Sequence, residues 1–171
     1  ALLPIETFSP EEHAEVAKKY AADDRVKIYQ IPQARYMGYN DAQIIYNIPS
    51  MIEFVDELCK ETTPELNLLE KAVLYPADEP DGTGWVVTAV SHINEIKASL
   101  AALADKSEAD TTGVYDGLKS YDGWREKYVE GIRIVVTFKP AQTEALRAIT
   151  DVWSPNFGGF TTPNEADAIM S

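Results

Sequence analysis

The chain of 171 residues contains little of the chemistry that many enzymes and metal sites use. It has one cysteine and two histidines. A single cysteine excludes an intramolecular disulfide, and two histidines without spaced cysteines do not make a closed zinc site. No apolar run approaches the roughly 18 residues of a membrane span. The fold must therefore be held together by packing of a hydrophobic core.

Basic residues are also scarce. Lys and Arg total 15 against 28 Asp and Glu, which gives a net charge of −13. A field of this sign repels phosphate backbones and anionic lipids, so we predict neither a nucleic-acid partner nor a membrane partner. The lone Cys59 favours a reducing compartment such as the cytoplasm, whereas the start at Ala1 leaves secretion open.

Common catalytic and nucleotide-binding motifs are missing. Gly-x-Ser-x-Gly, Gly-x-Gly-x-x-Gly and the P-loop pattern do not occur. Cys59 lies on the apolar side of a predicted helix and is expected to be a buried, inert thiol. His13 has glutamates around it on a predicted helix, so we expect a solvated surface residue. No metal site is predicted, and haem is the one cofactor considered, because a single histidine can be its axial ligand.

Periodicity and turn signals predict interleaved helices and strands. Helix starts are predicted from two capping boxes, Ser9 with Glu12 and Ser50 with Glu53. The predicted strands are 2–8, 26–31, 34–39, 42–46, 71–76, 85–90 and 132–138, and the predicted helices are 10–22, 51–62, one from 92, a broken one over 114–128, and 141–152. The prediction is an α+β fold, a mainly antiparallel sheet with helices packed on one face, in a single domain 1–153 followed by a C-terminal tail 154–171.

Tyrosines cluster on the predicted hairpin. Between Tyr36 and Ile52 there is a single charge, and Tyr29 and Tyr46 lie on or near the same hairpin. Phenol rings offer flat apolar surface with a polar tip, which suits a ring-bearing ligand. An ordinary core with a rim of tyrosines would give the same pattern, so both interpretations stay open.

One segment resembles a strand of the SOUL haem-binding and GyrI-like effector-binding families: residues 24–28 with Pro32, Arg35 and Gly38. The order that follows is similar too, with a helix at 51–62, a strand at 72–76, an acidic loop and a strand at 85–90. The resemblance covers residues 24–90. It implies a small hydrophobic or tetrapyrrole ligand in a pocket bordered by Arg35, Tyr36 and Trp85. The predicted ligand-binding residues are thus Tyr29, Arg35, Tyr36, Tyr46 and Trp85.

Two alternatives remain. Residues 2–62 are also similar to the ferredoxin-like units of dimeric α+β barrels. This similarity implies a homodimeric enzyme acting on an aromatic, polyketide-like or haem-like substrate, with His13, a tyrosine or a carboxylate as proton carrier. The second alternative is a protein-interaction module built from the 92–129 helices. Its exposed face would consist of Ile93, Ile96, Leu100 and Leu103. The leading prediction is a ligand-binding protein without covalent catalysis.

Overall fold

The computed structural model describes residues 9–32, 48–78, 83–138 and 144–155. Helices and strands alternate along these residues. Their bounds are α1 Pro10–Ala22, β1 Tyr29–Gln30, α2 Ile48–Glu61, β2 Ala72–Asp78, α3 Thr83–Ala109, α4 Asp116–Lys119, a π-helical turn Arg125–Val129, β3 Arg133–Phe138, α5 Glu144–Arg147 and β4 Val152–Pro155. The predicted strand 2–8 and the predicted hairpin 34–46 lie outside the described residues.

The four strands form one sheet in the order β1-β2-β3-β4, and each neighbouring pair is parallel. The predicted mainly antiparallel sheet is therefore wrong. Parallel neighbours need a crossover connection, usually a helix, because the chain must return to the same end of the sheet before the next strand. Here α2, α3 and α5 each lie between successive strands.

The error comes from one segment, the predicted strand 85–90, which is the beginning of helix α3. A short apolar run rich in valine cannot be assigned to strand or buried helix from its pattern alone. The neighbouring residues show that the segment is helical. Ala89, Ile93, Ile96 and Leu100 recur at helical spacing, and all four are buried. The chain thus leaves β2 through a long helix and reaches β3 parallel to it.

The described helices pack against one face of the sheet. The larger hydrophobic cluster joins α1, α2 and the middle and C-terminal part of α3 to β1 and the first half of β2. The smaller one joins the N-terminal part of α3 and α5 to Ala77, Ile134 and Val136, near the ends of β2 and β3. The strand predicted at 132–138 is confirmed as β3, and its alternate residues face the helices.

Strand β2 lies between β1 and β3 and carries a bulge. Leu74 pairs with Ile134 and Ala77 pairs with Val136, so three steps along β2 match two along β3. The extra residue falls at Tyr75–Pro76, where the proline has no N–H to give to the ladder. As a result both Leu74 and Ala77 reach the hydrophobic clusters under the helices.

Local signals place some helix ends correctly. The Ser9 hydroxyl accepts from the Glu12 N–H at 3.2 Å and the Glu12 carboxylate accepts from the Ser9 N–H at 2.9 Å, which confirms the first capping box. The second was wrong as a helix start, since α2 begins at Ile48, before Ser50. The last predicted helix is short, because β4 already begins at Val152 and spans the predicted start of the tail.

The predicted break in the helix over 114–128 is confirmed, because this stretch gives α4 and then the π-helical turn. Gly123 adopts a positive φ of 65°, which L side chains rarely adopt. Gly117 is needed for a different reason: a Cβ at this position would overlap the carbonyl oxygen of Thr62 just after α2. The two glycines therefore permit a sharp reversal and a close main-chain approach.

Candidate functional site

Parallel strands give the sheet two chemically different edges. Helices α1 and α2 run side by side in the same direction, because Lys18 pairs with Glu61 while His13 packs on Phe54 one to two turns earlier in each helix. Lys71, just before β2, donates to two carbonyls at the end of α1. The C-terminal ends of these helices therefore lie at the amino edge of the sheet, and their N-terminal ends lie at the carboxyl edge.

His13 lies near the start of α1, in the half of the helix closer to the carboxyl edge. It is 0% exposed, and neither ring nitrogen has a hydrogen-bond partner in the described part of the chain. The Phe54 ring meets it edge-on at 5.4 Å between centroids, and the Tyr29 ring lies 6.4 Å away. Burial lowers the pKa of His13 to about 4, so the imidazole is neutral at pH 7. The predicted solvated position was wrong.

The helical repeat carries the signal that was missed. The buried stripe of α1 consists of Ala14, Ala17 and Ala21, and His13 lies on this stripe, four residues before Ala17. Small alanine side chains let α1 approach α2 closely, which leaves no solvent around the imidazole. The glutamates that suggested a surface position are exposed on the other side of the helix.

The predicted ligand-binding residues fall in different parts of the molecule. Tyr29 is a core residue, 1% exposed, and its hydroxyl donates to the Leu68 carbonyl. Burial raises its pKa. Trp85 belongs to the first turn of α3. The predicted contacts Arg35, Tyr36 and Tyr46 lie outside the described residues. The ligand-binding role of all five stays a prediction.

Three of the five predicted contacts, Arg35, Tyr36 and Tyr46, come between the end of β1 and the start of α2 at Ile48 in the sequence. Trp85 comes shortly after the carboxyl end of β2. Carboxyl ends of parallel strands meet at one edge of a sheet, so β1 and β2 end at the same edge. Sequence reasoning named His13 only as a proton carrier of the enzyme alternative and missed its burial.

The amino edge carries a compact polar cluster between α2 and α3. The Asp56 carboxylate accepts from the Tyr115 hydroxyl at 2.5 Å, from Lys60 at 2.9 Å and from Lys106 at 3.0 Å. Burial opposes ionisation of Asp56, but these hydrogen bonds outweigh it and lower the pKa of the carboxyl. Each polar group of the cluster has a partner, so its chemistry is that of a link between helices.

A second ionic cluster ties the π-helical turn to α3. Three carboxylates surround the Arg125 guanidinium at 2.6–2.7 Å, those of Asp105, Glu108 and Glu130. Hydrogen bonds from these carboxylates raise the pKa of Arg125. A guanidinium offers its donors in a planar fork, which suits several carboxylates at once. These bonds use three of the five N–H donors of the guanidinium and link the turn to α3.

The face required by the interaction-module hypothesis is inside the core. The four side chains Ile93, Ile96, Leu100 and Leu103 are at most 4% exposed. They pack against the sheet and the neighbouring helices, where a partner protein cannot reach them. Cys59 is also buried, as predicted, and burial raises its pKa, so the thiolate is disfavoured.

Three further findings concern metal ions, membranes and similar proteins. Within residues 9–32, 48–78, 83–138 and 144–155, no three His, Cys, Asp or Glu side chains are grouped to hold a metal ion. Nor is any helix among them both long and apolar enough to cross a membrane. No family model, no curated protein and no solved structure matches the chain.

Proposed function

We propose that this protein binds a small aromatic or hydrophobic molecule at the carboxyl edge of its parallel sheet. The observation that carries the proposal is that all four strands run parallel, so that their carboxyl ends lie at one edge. His13 lies in the half of α1 nearer to this edge, but it is buried in the core and has no exposed surface that a ligand could contact.

Topology supports the same edge. Strands in sequential order, with helices on one face, are the arrangement of successive βα units in barrels and open α/β sheets. In those folds ligands bind beyond the carboxyl ends of the strands, because the loops there converge and the helix N-termini point at the ligand. The start of α3 follows the carboxyl end of β2, and the tyrosine-rich residues 33–47 follow that of β1 in sequence.

The surface near this edge is mixed in character. Neither α2 nor α3 has an acidic residue in its first turn, whereas α1 carries Glu11 and Glu12 in its first turn and β2 ends at Asp78. In the second turn of α3, Val87 is 63% exposed. A single exposed apolar side chain is normal on a protein surface, so Val87 is only an available contact for an apolar ligand. Trp85, two residues earlier in sequence, is one of the predicted ligand contacts.

The enzyme alternative retains one element of support. A neutral buried histidine is a suitable proton acceptor, and His13 was its predicted proton carrier. The ferredoxin-like sheet on which that alternative rested is antiparallel, however, and the described sheet is parallel. Binding is therefore the function that the geometry favours.

The test is a ligand-dependent thermal shift with two neutral probes, p-cresol and its methyl ether 4-methylanisole. At ten times its Kd, a probe should raise the unfolding free energy by about 1.4 kcal/mol and Tm by about 3–6 °C. Trp85→Ala and Tyr36→Ala should lose the shift. Val114→Ala is the matched control, because Val114 is also exposed and apolar but follows the C-terminal end of α3.

Two outcomes would contradict the proposal. One is that neither probe shifts Tm of the wild-type protein. The other is that Val114→Ala loses the shift as fully as Trp85→Ala does. An absorbance spectrum of the purified protein belongs to the same experiment, since a Soret band would identify the ligand as a haem.

A further inference from the structure

We infer that mild acid releases helix α1 from the rest of the fold, because a protonated His13 cannot stay buried between α1 and α2. This inference does not depend on the proposed ligand. It rests on the place of the imidazole in the interface of the two helices. His13 is 0% exposed, neither ring nitrogen has a partner among the described residues, and the Phe54 ring of α2 meets it edge-on at 5.4 Å.

Helix α1 is held to the core by little apolar side-chain surface. Besides His13, its buried residues are three alanines, whereas α2 buries Met51, Phe54, Val55 and Leu58. Burial of an alanine side chain contributes much less free energy than burial of a leucine or phenylalanine side chain. Helix α1 packs mainly against α2, and Tyr20 adds a contact with the Tyr29 ring at 6.1 Å. A helix packed in this way can separate from α2 at a lower free-energy cost than global unfolding.

The polar links of α1 do not share the sensitivity of His13 to acid. Lys18 pairs with Glu61 of α2 at 2.7 Å, and Lys71 donates to the carbonyls of Ala21 and Asp23. Carboxylates and lysines ordinarily keep their charge between pH 7 and pH 5, whereas an exposed histidine gains a proton in this range. The imidazole is therefore the group through which this interface responds to mild acid.

Within the described residues, no charged group compensates for a proton on the imidazole. It faces the Phe54 ring of α2, the Tyr29 phenol of β1 and the alanine stripe of its own helix. The Tyr29 hydroxyl donates to the Leu68 carbonyl, and burial raises the pKa of Tyr29, so this phenol is neutral. The acidic side chains closest in sequence to the two rings are exposed, in the case of Glu11, Glu12, Glu15 and Glu53, or paired with Lys60, in the case of Asp56 and Glu57.

A proton therefore favours the released helix over the docked one. Burial lowers the pKa of His13 to about 4 while α1 is docked, whereas in released α1 the ring is exposed and takes up a proton near pH 6.5. By linkage, the equilibrium constant for release rises about twentyfold between pH 7 and pH 5. A separate helix of 13 residues is marginal in water, so α1 also loses its helical hydrogen bonds on release. Release uncovers the apolar side of α2 around Phe54.

Hydrogen exchange of the full chain, measured by NMR and corrected for intrinsic exchange rates, tests the inference. The protection factors of the Ala17 and Ala21 N–H groups should fall about twentyfold from pH 7 to pH 5. Low concentrations of urea should barely change them, because release of one helix exposes little surface. The N–H groups of Ile96 and Leu100 in α3 should be better protected and should depend steeply on urea, because they exchange through global unfolding.

Three variants show whether His13 causes the response to acid. His13→Leu and His13→Met each place an apolar side chain of similar volume that cannot titrate, so that the test does not depend on one variant folding. In both, the protection factors of α1 should change by less than about twofold between pH 7 and pH 5. His92→Gln is the control, since it removes the other histidine, which lies in α3, and should keep the wild-type fall.

Three results would overturn the inference. The first is that the protection factors of α1 in the wild-type protein do not fall between pH 7 and pH 5. The second is that they fall as much in His13→Leu and His13→Met as in the wild-type protein. The third is that the N–H groups of α1 and α3 depend equally on urea, because α1 would then leave only when the whole chain unfolds.

Discussion

The two edges of the sheet differ in how their elements are joined. At the amino edge, Lys71 donates to the carbonyls at the end of α1, Tyr29 donates to the Leu68 carbonyl, and Asp56 accepts from a tyrosine and two lysines. Buried polar atoms without a partner among the described residues occur on both sides: the two ring nitrogens of His13 in the N-terminal half of α1, and Asn67 Nδ2 and Asp110 Oδ2 near the amino edge. The larger hydrophobic cluster reaches the amino edge, and the smaller one lies toward the carboxyl ends of β2 and β3.

This difference separates stability from function. Hydrogen bonds and ion pairs join the helices at the amino edge, which is the part of an α/β fold where substitution usually affects folding. The carboxyl edge is the part where such folds bind their ligands. Substitutions at the two edges should therefore have different kinds of effect.

The largest effect is expected from Gly117→Ala. The new methyl group would overlap the Thr62 carbonyl, which belongs to the main chain and cannot rotate away. We expect the unfolding free energy to fall by more than about 3 kcal/mol in urea denaturation. The control is Gly84→Ala in α3, where a Cβ meets no atom within 4 Å. It should leave stability unchanged or raise it by up to about 1 kcal/mol, and equal losses in both variants would remove the contrast.

The second largest effect is the pH dependence of the unfolding free energy, which the burial of His13 should cause. Its pKa is lowered by burial from 6.5 to about 4, so the unfolded state takes up the proton first as pH falls. Stability is complete above about pH 6.5 and declines toward pH 4 by about 3 kcal/mol in total. His13→Leu should lose this decline, as measured by urea denaturation at several pH values. Identical slopes for both proteins between pH 7 and pH 5 would show that the imidazole is not buried in solution.

A smaller loss of unfolding free energy is expected when the polar cluster between α2 and α3 loses the charge of Asp56. Asp56→Asn removes the charge that Lys60 and Lys106 share and weakens the bond to Tyr115. We expect a loss of about 2 kcal/mol with no change in the Kd of p-cresol, because the cluster lies at the other edge. The control is Asp122→Asn, whose side chain is fully exposed and should show no measurable change. Weaker p-cresol binding in Asp56→Asn would connect the two edges.

The smallest effect concerns the start of α1. Ser9→Ala removes the hydroxyl that accepts from Glu12 and should lower the unfolding free energy by about 1 kcal/mol. Ser9→Asp keeps an acceptor at the cap and should restore most of the loss. A loss in both variants would mean that the hydroxyl has a role other than capping.

Sequence patterns predicted the elements better than their arrangement. Helix α1 followed from its capping box, and β3 followed from strict alternation, since both signals are local. The direction of the strands depends on what connects them, and that was decided by the run at 85–90, whose composition suits either structure. One wrong element turned a helical crossover into a hairpin and a parallel sheet into an antiparallel one.

The candidate site shows the same limit. The tyrosine-rich connection could be found from composition, because it is nearly free of charge. The burial of His13 depends on α2 packing against the alanine stripe of α1, which is a tertiary contact with a partner about 40 residues away in sequence. The alanine spacing was visible, but glutamates on either side of a histidine are typical of a solvated helix face.

The bulge in the central strand has a further consequence for the chain before it folds. Ala72-Val73-Leu74-Tyr75 is an apolar segment of the kind that stacks into cross-β aggregates when exposed. Pro76 follows directly and interrupts any continuous intermolecular ladder, since it has no N–H to donate. In the native sheet the bulge accommodates the same residue without loss of packing, so one proline protects the nascent chain and is tolerated by the finished fold.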